Sequence, residues 1–227
     1  MASTALFDVD GTLLDTTYLH TLAWAEALAQ YGHRPAMARI HASIGMGGDQ
    51  LLDHVLGEER DRGQDGDISS AHGALYARFW PSLRPFEGAA DLLRAVSARG
   101  WTVVLASSAS GRDLRVMRRA LDADDAVAAA TSADDVEASK PAPDLVRAAL
   151  DKAGARAAEA VFVGDTLWDV QAAAAAGVPC IAVLSGGWSE RDLRAAGALE
   201  VHENAAALLA GLSDSALGHP RPPAVGK

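Results

Sequence analysis

Apolar positions fall into two rhythms along this chain. Up to Leu14, and again from Gly88 onward, short unbroken apolar runs alternate with stretches in which apolar residues recur every three or four positions. Between Asp15 and Pro81 only the second pattern occurs. Unbroken short runs suit strands buried on both faces, and the three-to-four repeat suits one face of a helix. Strands are predicted at the run that ends in Leu6-Phe7-Asp8, at 102–106, weakly at 126–131, and at 161–163, 179–184 and 199–201. Helices are predicted over 16–31, 36–43, 49–56, 68–80, 89–99, 112–121, 143–153, 166–176, 190–196 and 205–212. In the first of these, Leu19, Leu22, Ala23, Ala27 and Leu28 are expected to supply the buried face. Gly32, Gly100, Gly154 and Gly177 mark helix ends, and Pro35 keeps the first one ended.

Strands alternating with helices of this length imply right-handed crossovers and a parallel sheet. The expected fold class is therefore α/β, a Rossmann-like parallel sheet covered by helices on both faces. The wholly helical block after the first strand reads as an inserted small helical domain. The expected division is a core of residues 1–15 and 82–217, an insertion of residues 16–81, and a tail, 218–227, with a composition that favours disorder.

Composition narrows the functional classes. The hydrophobic share of 49% is ample for a buried core, and the formal net charge is −10. Such a balance argues against a general nucleic-acid or anionic-membrane surface, although a bound cation can reverse the field locally and admit a small anionic substrate. Cys180 is the single cysteine and lies in an apolar run, so no internal disulfide is expected and a core position is. No apolar run is long enough to span a membrane, and no basic leader precedes the first strand; the expectation is a cytoplasmic protein, monomer or homodimer.

The candidate chemistry sits at strand ends. Asp8 and Asp10 are one residue apart at the end of the first run, followed by Gly11 and Thr12. In an extended chain both carboxylates would share a face, where they repel unless a proton or cation joins them. A divalent metal site is one reading, and an acidic turn after an edge strand is the other. Ligands of a parallel sheet bind outside the carboxyl ends of its strands. Those ends carry Asp8 and Asp10, then Ser107 and Ser108, then Asp165, with Lys140 before Pro141 at the start of a helix. Ser107 could instead cap the helix that follows it. Lys140 could be an exposed charge, but it is one of only three lysines in an arginine-dominated chain, which favours a specific task.

Four segments in order, Asp8-Val9-Asp10-Gly11-Thr12, Ser107, Lys140-Pro141-Ala142-Pro143-Asp144 and Gly164-Asp165-Thr166-Leu167-Trp168-Asp169, resemble the four motifs of the haloacid dehalogenase superfamily. The resemblance runs from Leu6 to about Gly187, and the helical insertion resembles that superfamily's C1-type cap. It implies a Mg²⁺-dependent phosphomonoester hydrolase, of the phosphoglycolate phosphatase or β-phosphoglucomutase-like kind, acting on a small phosphorylated metabolite. Asp8 would be the nucleophile and form an aspartyl-phosphate, and Asp10 would protonate the leaving oxygen and then activate water. Mg²⁺ would be held by Asp8, the Asp10 backbone carbonyl and Asp165. Ser107 and Lys140 would hold the phosphoryl group, with Ser108, Gly11, His20 and Gly47 as further substrate contacts. Asp169, one helical turn after Asp165, is expected behind the metal ligands rather than among them.

Within the superfamily, the acid at position 10 argues against dehalogenase chemistry. The absence of lysine from 16–84 argues against a Schiff base formed by the cap. His20 and Trp24 resemble β-phosphoglucomutases. The loop Gly45-Met46-Gly47-Gly48-Asp49 lacks the basic residue that would hold a second phosphate, which favours hydrolysis unless His72 or Arg78 substitutes. A non-catalytic domain binding a phosphometabolite or a protein is the remaining reading.

Overall fold

In the computed structural model, residues 3–220 are described. Six parallel strands form one sheet: β1 (Thr4–Phe7), β2 (Thr102–Ala106), β3 (Ala129–Thr131), β4 (Ala160–Gly164), β5 (Cys180–Val183) and β6 (Glu200–His202), in the order β3-β2-β1-β4-β5-β6. The chain builds from β1 outward to β3, then restarts on the other side with β4. The order therefore reverses between β1 and β4, which is where a parallel sheet opens a crevice at its carboxyl edge.

Strand alternation splits the core into two layers. Ala5, Phe7, Val103, Leu105, Val161, Val163 and Ile181 face one side and pack with residues of α5 (Ala89–Ala98), α6 (Gly111–Leu121) and α10 (Ala205–Ala210). Leu6, Val104, Ala106, Phe162, Cys180 and Ala182 face the other and pack under α7 (Asp144–Ala153), α8 (Leu167–Ala175) and α9 (Glu190–Ala195). Cys180 lies in this second layer, as expected, and burial pushes its thiol pKa well up.

Between β1 and α5 stand α1 (Thr17–Gln30), α2 (Met37–His41), α3 (Gly48–Leu56) and α4 (Asp65–Ala77). They gather around a third apolar cluster that includes Trp24, Leu28, Ile40, Leu51, Leu52, Val55 and Ile68. The two passages between this block and the sheet run side by side. Asp15 N–H donates to the Arg84 carbonyl at 3.0 Å, and Phe86 N–H donates to the Leu13 carbonyl at 2.9 Å.

Two expectations need correction. The buried face of α1 runs through His20 and Trp24, while Leu22 is 43% exposed. Polar and aromatic residues turn inward there because α1 faces the sheet's acidic edge as well as α4. Of the tail, Gly218 is buried and donates to the Ser215 carbonyl at 2.8 Å, so disorder does not begin there. Residues 221–227 lie outside the described residues. No described helix is long and apolar enough to cross a membrane.

Candidate active site

The carboxyl edge at the β1/β4 reversal gathers the charged residues. β1 stops at Phe7, so Asp8 and Asp10 belong to the turn beyond it rather than to regular strand, although Asp8 N–H still donates to the Val163 carbonyl at 2.9 Å. Gly11 carries the turn at φ +75°, in a conformation that side chains resist. The Asp165 carboxylate occupies the space a Cβ on Gly11 or on Gly186 would need, so both glycines are forced by close approach. Ser185 Oγ donates to the Gly11 carbonyl at 2.6 Å and pins the turn.

Lys140 is wholly buried. Its Nζ lies 2.9 Å from Asp8 Oδ1 and 2.7 Å from Asp169 Oδ1. Burial alone would lower its pKa, but Asp169 and Asp8 outweigh burial and raise it. Asp169 is the third residue of α8, and its Oδ2 accepts from the backbone N–H groups of Asp165 (3.2 Å) and Thr166 (3.0 Å) and from Thr166 Oγ1 (2.6 Å). This is a capping box. Asp165 lies before the helix, so it does not share a helical face with Asp169; the Asp169 carboxylate instead reaches back over the helix start. Thr12 Oγ1 donates to Asp165 Oδ1 at 2.7 Å.

Three buried carboxylates, Asp8, Asp165 and Asp169, offer oxygens within 4.8 Å of one another, against one ammonium. Fully ionised, they leave two uncompensated negative charges. Burial, the largest cause, pushes Asp8 up to about 8 and Asp165 well above the carboxylate range. Asp8 Oδ2 and Asp165 Oδ2 are buried with no hydrogen-bond partner among the described residues. Buried acceptors of that kind are costly unless a proton or a cation meets them.

Asp10 lies in a different setting. Its Oδ1 accepts from Thr16 Oγ1 at 2.6 Å and pairs with His20 Nε2 at 3.1 Å; its Oδ2 is 3.4 Å from Ser107 Oγ. Burial alone would raise its pKa, but His20 and Thr16 hold it below the ordinary value. Ser107 is buried, and its Oγ accepts from Ala109 N–H at 3.0 Å. It does not cap α6; Ser110 does, accepting from Asp113 N–H at 3.1 Å.

A cleft of about 590 Å³ opens over these residues. Asp8, Asp10, Lys140 and Ser108 line its floor, and His20, Trp24, Met46, Gly47 and His72 of the helical block line its roof. Ser108 Oγ donates to the Gly45 carbonyl at 3.2 Å and so ties floor to roof. Gly11 packs against Asp165 rather than on the cleft wall. Arg78, considered as a phosphate-holding residue, instead pairs with Glu26 on the outer surface at 2.5 Å. Residues that sequence reasoning missed are Thr12, Thr16 and Arg112. Arg112 lines the cleft, its guanidinium sits 4.5 Å above the Trp80 ring, and it has no carboxylate partner among the described residues. Its place at the start of a helix just after Ser107 was the available signal.

A parallel sheet whose reversal point carries a buried lysine among carboxylates, under a helical roof, defines an α/β enzyme with its chemistry at the strand ends. The chain belongs to the haloacid dehalogenase-like hydrolase family, whose model matches residues 2–177. It is 31% identical over 232 residues to a phosphoglycolate phosphatase of Rhodospirillum rubrum, covering 98% of this chain and 93% of that one. Among solved structures, a hydrolase from Pseudomonas syringae is 34% identical with TM-score 0.88, covering 93% of this chain and 98% of the other. CbbY from Rhodobacter sphaeroides in complex with phosphate is 27% identical with TM-score 0.76, covering 94% of this chain and all of that one. The protein is a hydrolase of the phosphatase type.

Proposed function

We propose that this enzyme hydrolyses a small phosphomonoester, with Asp8 as nucleophile and Mg²⁺ as the cofactor. The observation that carries the reading is the pair of orphaned oxygens, Asp8 Oδ2 and Asp165 Oδ2, in a buried cluster with two uncompensated charges. A hard divalent cation bound by these residues would meet both oxygens in place of the protons they otherwise keep. Asp8, Asp165 and the Asp10 backbone carbonyl would hold it. Asp169 is a poor ligand because Lys140, Asp165 N–H and the Thr166 groups already engage both of its oxygens. When bound, the cation neutralises charge on the transferring phosphoryl group.

The chain's own residues supply the rest. Asp8 attacks phosphorus and becomes the aspartyl-phosphate, with Lys140 keeping its carboxylate oriented and offsetting the charge that gathers on the phosphoryl oxygens. Ser107 would donate to those oxygens, and Ser108 would do so on releasing the Gly45 carbonyl. Asp10 gives a proton to the leaving oxygen, then takes one from the water that cleaves the intermediate. The bonds from His20 and Thr16 favour the ionised carboxylate, so the second task matches the geometry directly, and the first requires Asp10 to take up a proton before transfer. The helical block acts as a cap that excludes water and sets selectivity.

Relatives named phosphoglycolate phosphatase support a small phosphorylated acid as substrate. A phosphosugar mutase is the second reading, and Arg112 is the observation that favours it, since it could hold a second anionic group in the same cleft. The test is phosphate release from a panel of small phosphomonoesters, with Mg²⁺ and with EDTA, for wild type and Asp8→Asn. Metal-dependent release that falls by a factor on the order of 10⁴ or more in the variant is expected. Absence of release from every ester would overturn the phosphatase reading. Isomerisation of β-glucose 1-phosphate in the presence of a bisphosphate primer would replace it with the mutase.

A further inference from the structure

We propose that His72 is a positioning residue: it holds the His20 ring in the one orientation that directs an N–H at Asp10. The catalytic part of this inference rests on the role given to Asp10 above.

His20 and Trp24 stand one turn apart on α1, and His72 and Tyr76 one turn apart on α4, so the four rings meet where the two helices face each other. The His20 ring lies flat on Tyr76, with centroids 3.8 Å apart, and the His72 ring lies flat on Trp24 at 4.1 Å. Stacking fixes the plane of the His20 ring but not which edge faces the floor. A half-turn about the Cβ–Cγ bond leaves the ring in the same plane and exchanges nitrogen for carbon at both edges. Two contacts tell the orientations apart, one at each edge: His20 Nε2 lies 3.1 Å from Asp10 Oδ1, and at the far edge His20 Nδ1 lies 3.2 Å from His72 Nε2, which adds its hold to that of Asp10.

The tautomer follows from the same contacts. A carboxylate only accepts hydrogen bonds, so Nε2 of His20 must carry the hydrogen. With Nε2–H directed at Asp10, a lone pair on Nδ1 needs a donor, and His72 Nε2 stands 3.2 Å away to supply one. Burial, the main cause, holds the His72 pKa well below its ordinary value, so that ring has one N–H to give. Without that donor, the half-turned ring and the Nδ1–H tautomer compete, and both remove the hydrogen bond from Asp10.

The test uses the full-length enzyme with His72→Phe, which keeps a ring for stacking on Trp24 and removes the donor, and His72→Gln, which keeps an N–H at the reach of Nε2. Folding of each is checked by thermal unfolding. In the wild type, ring-nitrogen NMR should show His20 protonated at Nε2 and a scalar coupling across the His72–His20 hydrogen bond. In His72→Phe, kcat should fall at least about tenfold with KM changed less than about twofold, and the His20 pattern should become a mixture of tautomers. His72→Gln should restore most of kcat and the Nε2–H pattern. The proposal is overturned if the wild type lacks the coupling, if His72→Phe keeps both kcat and the tautomer, if His72→Gln is as impaired as His72→Phe, or if the loss falls on KM. The wild-type spectrum decides the His72–His20 pairing even if no ester is hydrolysed, so failure of the phosphatase reading would be separately visible.

Discussion

The floor and the roof of the cleft are built differently. On the floor and directly beneath it, Asp8, Lys140, Asp165 and Asp169 are at most 1% exposed. Backbone at strand ends and the start of α8 positions them, and most of their polar atoms have a named partner. On the roof, Met46 and Ser69 are half-buried, Asp49 and Ser70 are exposed, and the loop 45–48 carries three glycines. A few contacts tie roof to floor: His20 to Asp10, Ser108 Oγ to the Gly45 carbonyl, Trp168 Nε1 to the Ala42 carbonyl at 3.0 Å, and His41 Nε2 to the Gly186 carbonyl at 3.2 Å. A buried charged cluster tolerates almost no change, because any lost partner leaves a charge without water. A wall of half-exposed small residues can vary without cost to the fold. Under the proposed function, chemistry would reside in the first region and selectivity in the second.

Substitutions should separate the two regions by size and kind of effect. The largest belongs to the floor. Lys140→Met leaves Asp8 and Asp169 buried without their cation and should destabilise the protein by about 3–5 kcal/mol, measured by denaturant unfolding. A cost below about 1 kcal/mol would show that the cluster is not dry.

Metal and pH test the same cluster without mutation. Asp8 has a folded pKa of about 8, above its unfolded value. Between those values the folded state binds the extra proton, so this group's stabilising contribution is full at low pH and is lost as pH rises through about 8. The proposed Mg²⁺ would take the proton's place. The gap in Tm between Mg²⁺ and EDTA should therefore widen from pH 6 to pH 9, and binding near pH 7 should release protons in calorimetry. At a hundredfold excess over Kd the ion should add about 2.7 kcal/mol. A gap that narrows with pH would refute the assignment.

On the cleft wall formed by the start of α6, Arg112→Ala should leave Tm and kcat nearly unchanged. It should raise KM about tenfold for esters bearing a second anionic group, and little for those without one. Equal effects on both classes would remove Arg112 from substrate recognition. The smallest effect is expected outside the cleft, where Arg78→Ala breaks an exposed pair with Glu26 and should cost under about 1 kcal/mol with no change in turnover.

Much of this was legible in the chain itself. Apolar runs against a three-to-four repeat located all six strands and the helical block, because a two-faced buried strand and an amphipathic helix demand different residue rhythms. Asp8, Asp10, Ser107, Lys140 and Asp165 were visible because strand ends of a parallel sheet share one edge. What tertiary structure alone decided is which partner each charge keeps. Thr12 and Thr16 look like ordinary turn residues in sequence, yet one engages Asp165 and the other Asp10. Leu22 has the right chemistry for a core and points to solvent, since α1 turns His20 and Trp24 inward instead. Asp169 is spaced like a helical neighbour of Asp165 but caps the helix that Asp165 precedes. His72 pairs with His20 across 52 positions, a contact that only the packing of α1 on α4 creates. Local rhythm is a property of the chain, whereas hydrogen-bond partners across helices depend on rotations of a few degrees that no spacing encodes.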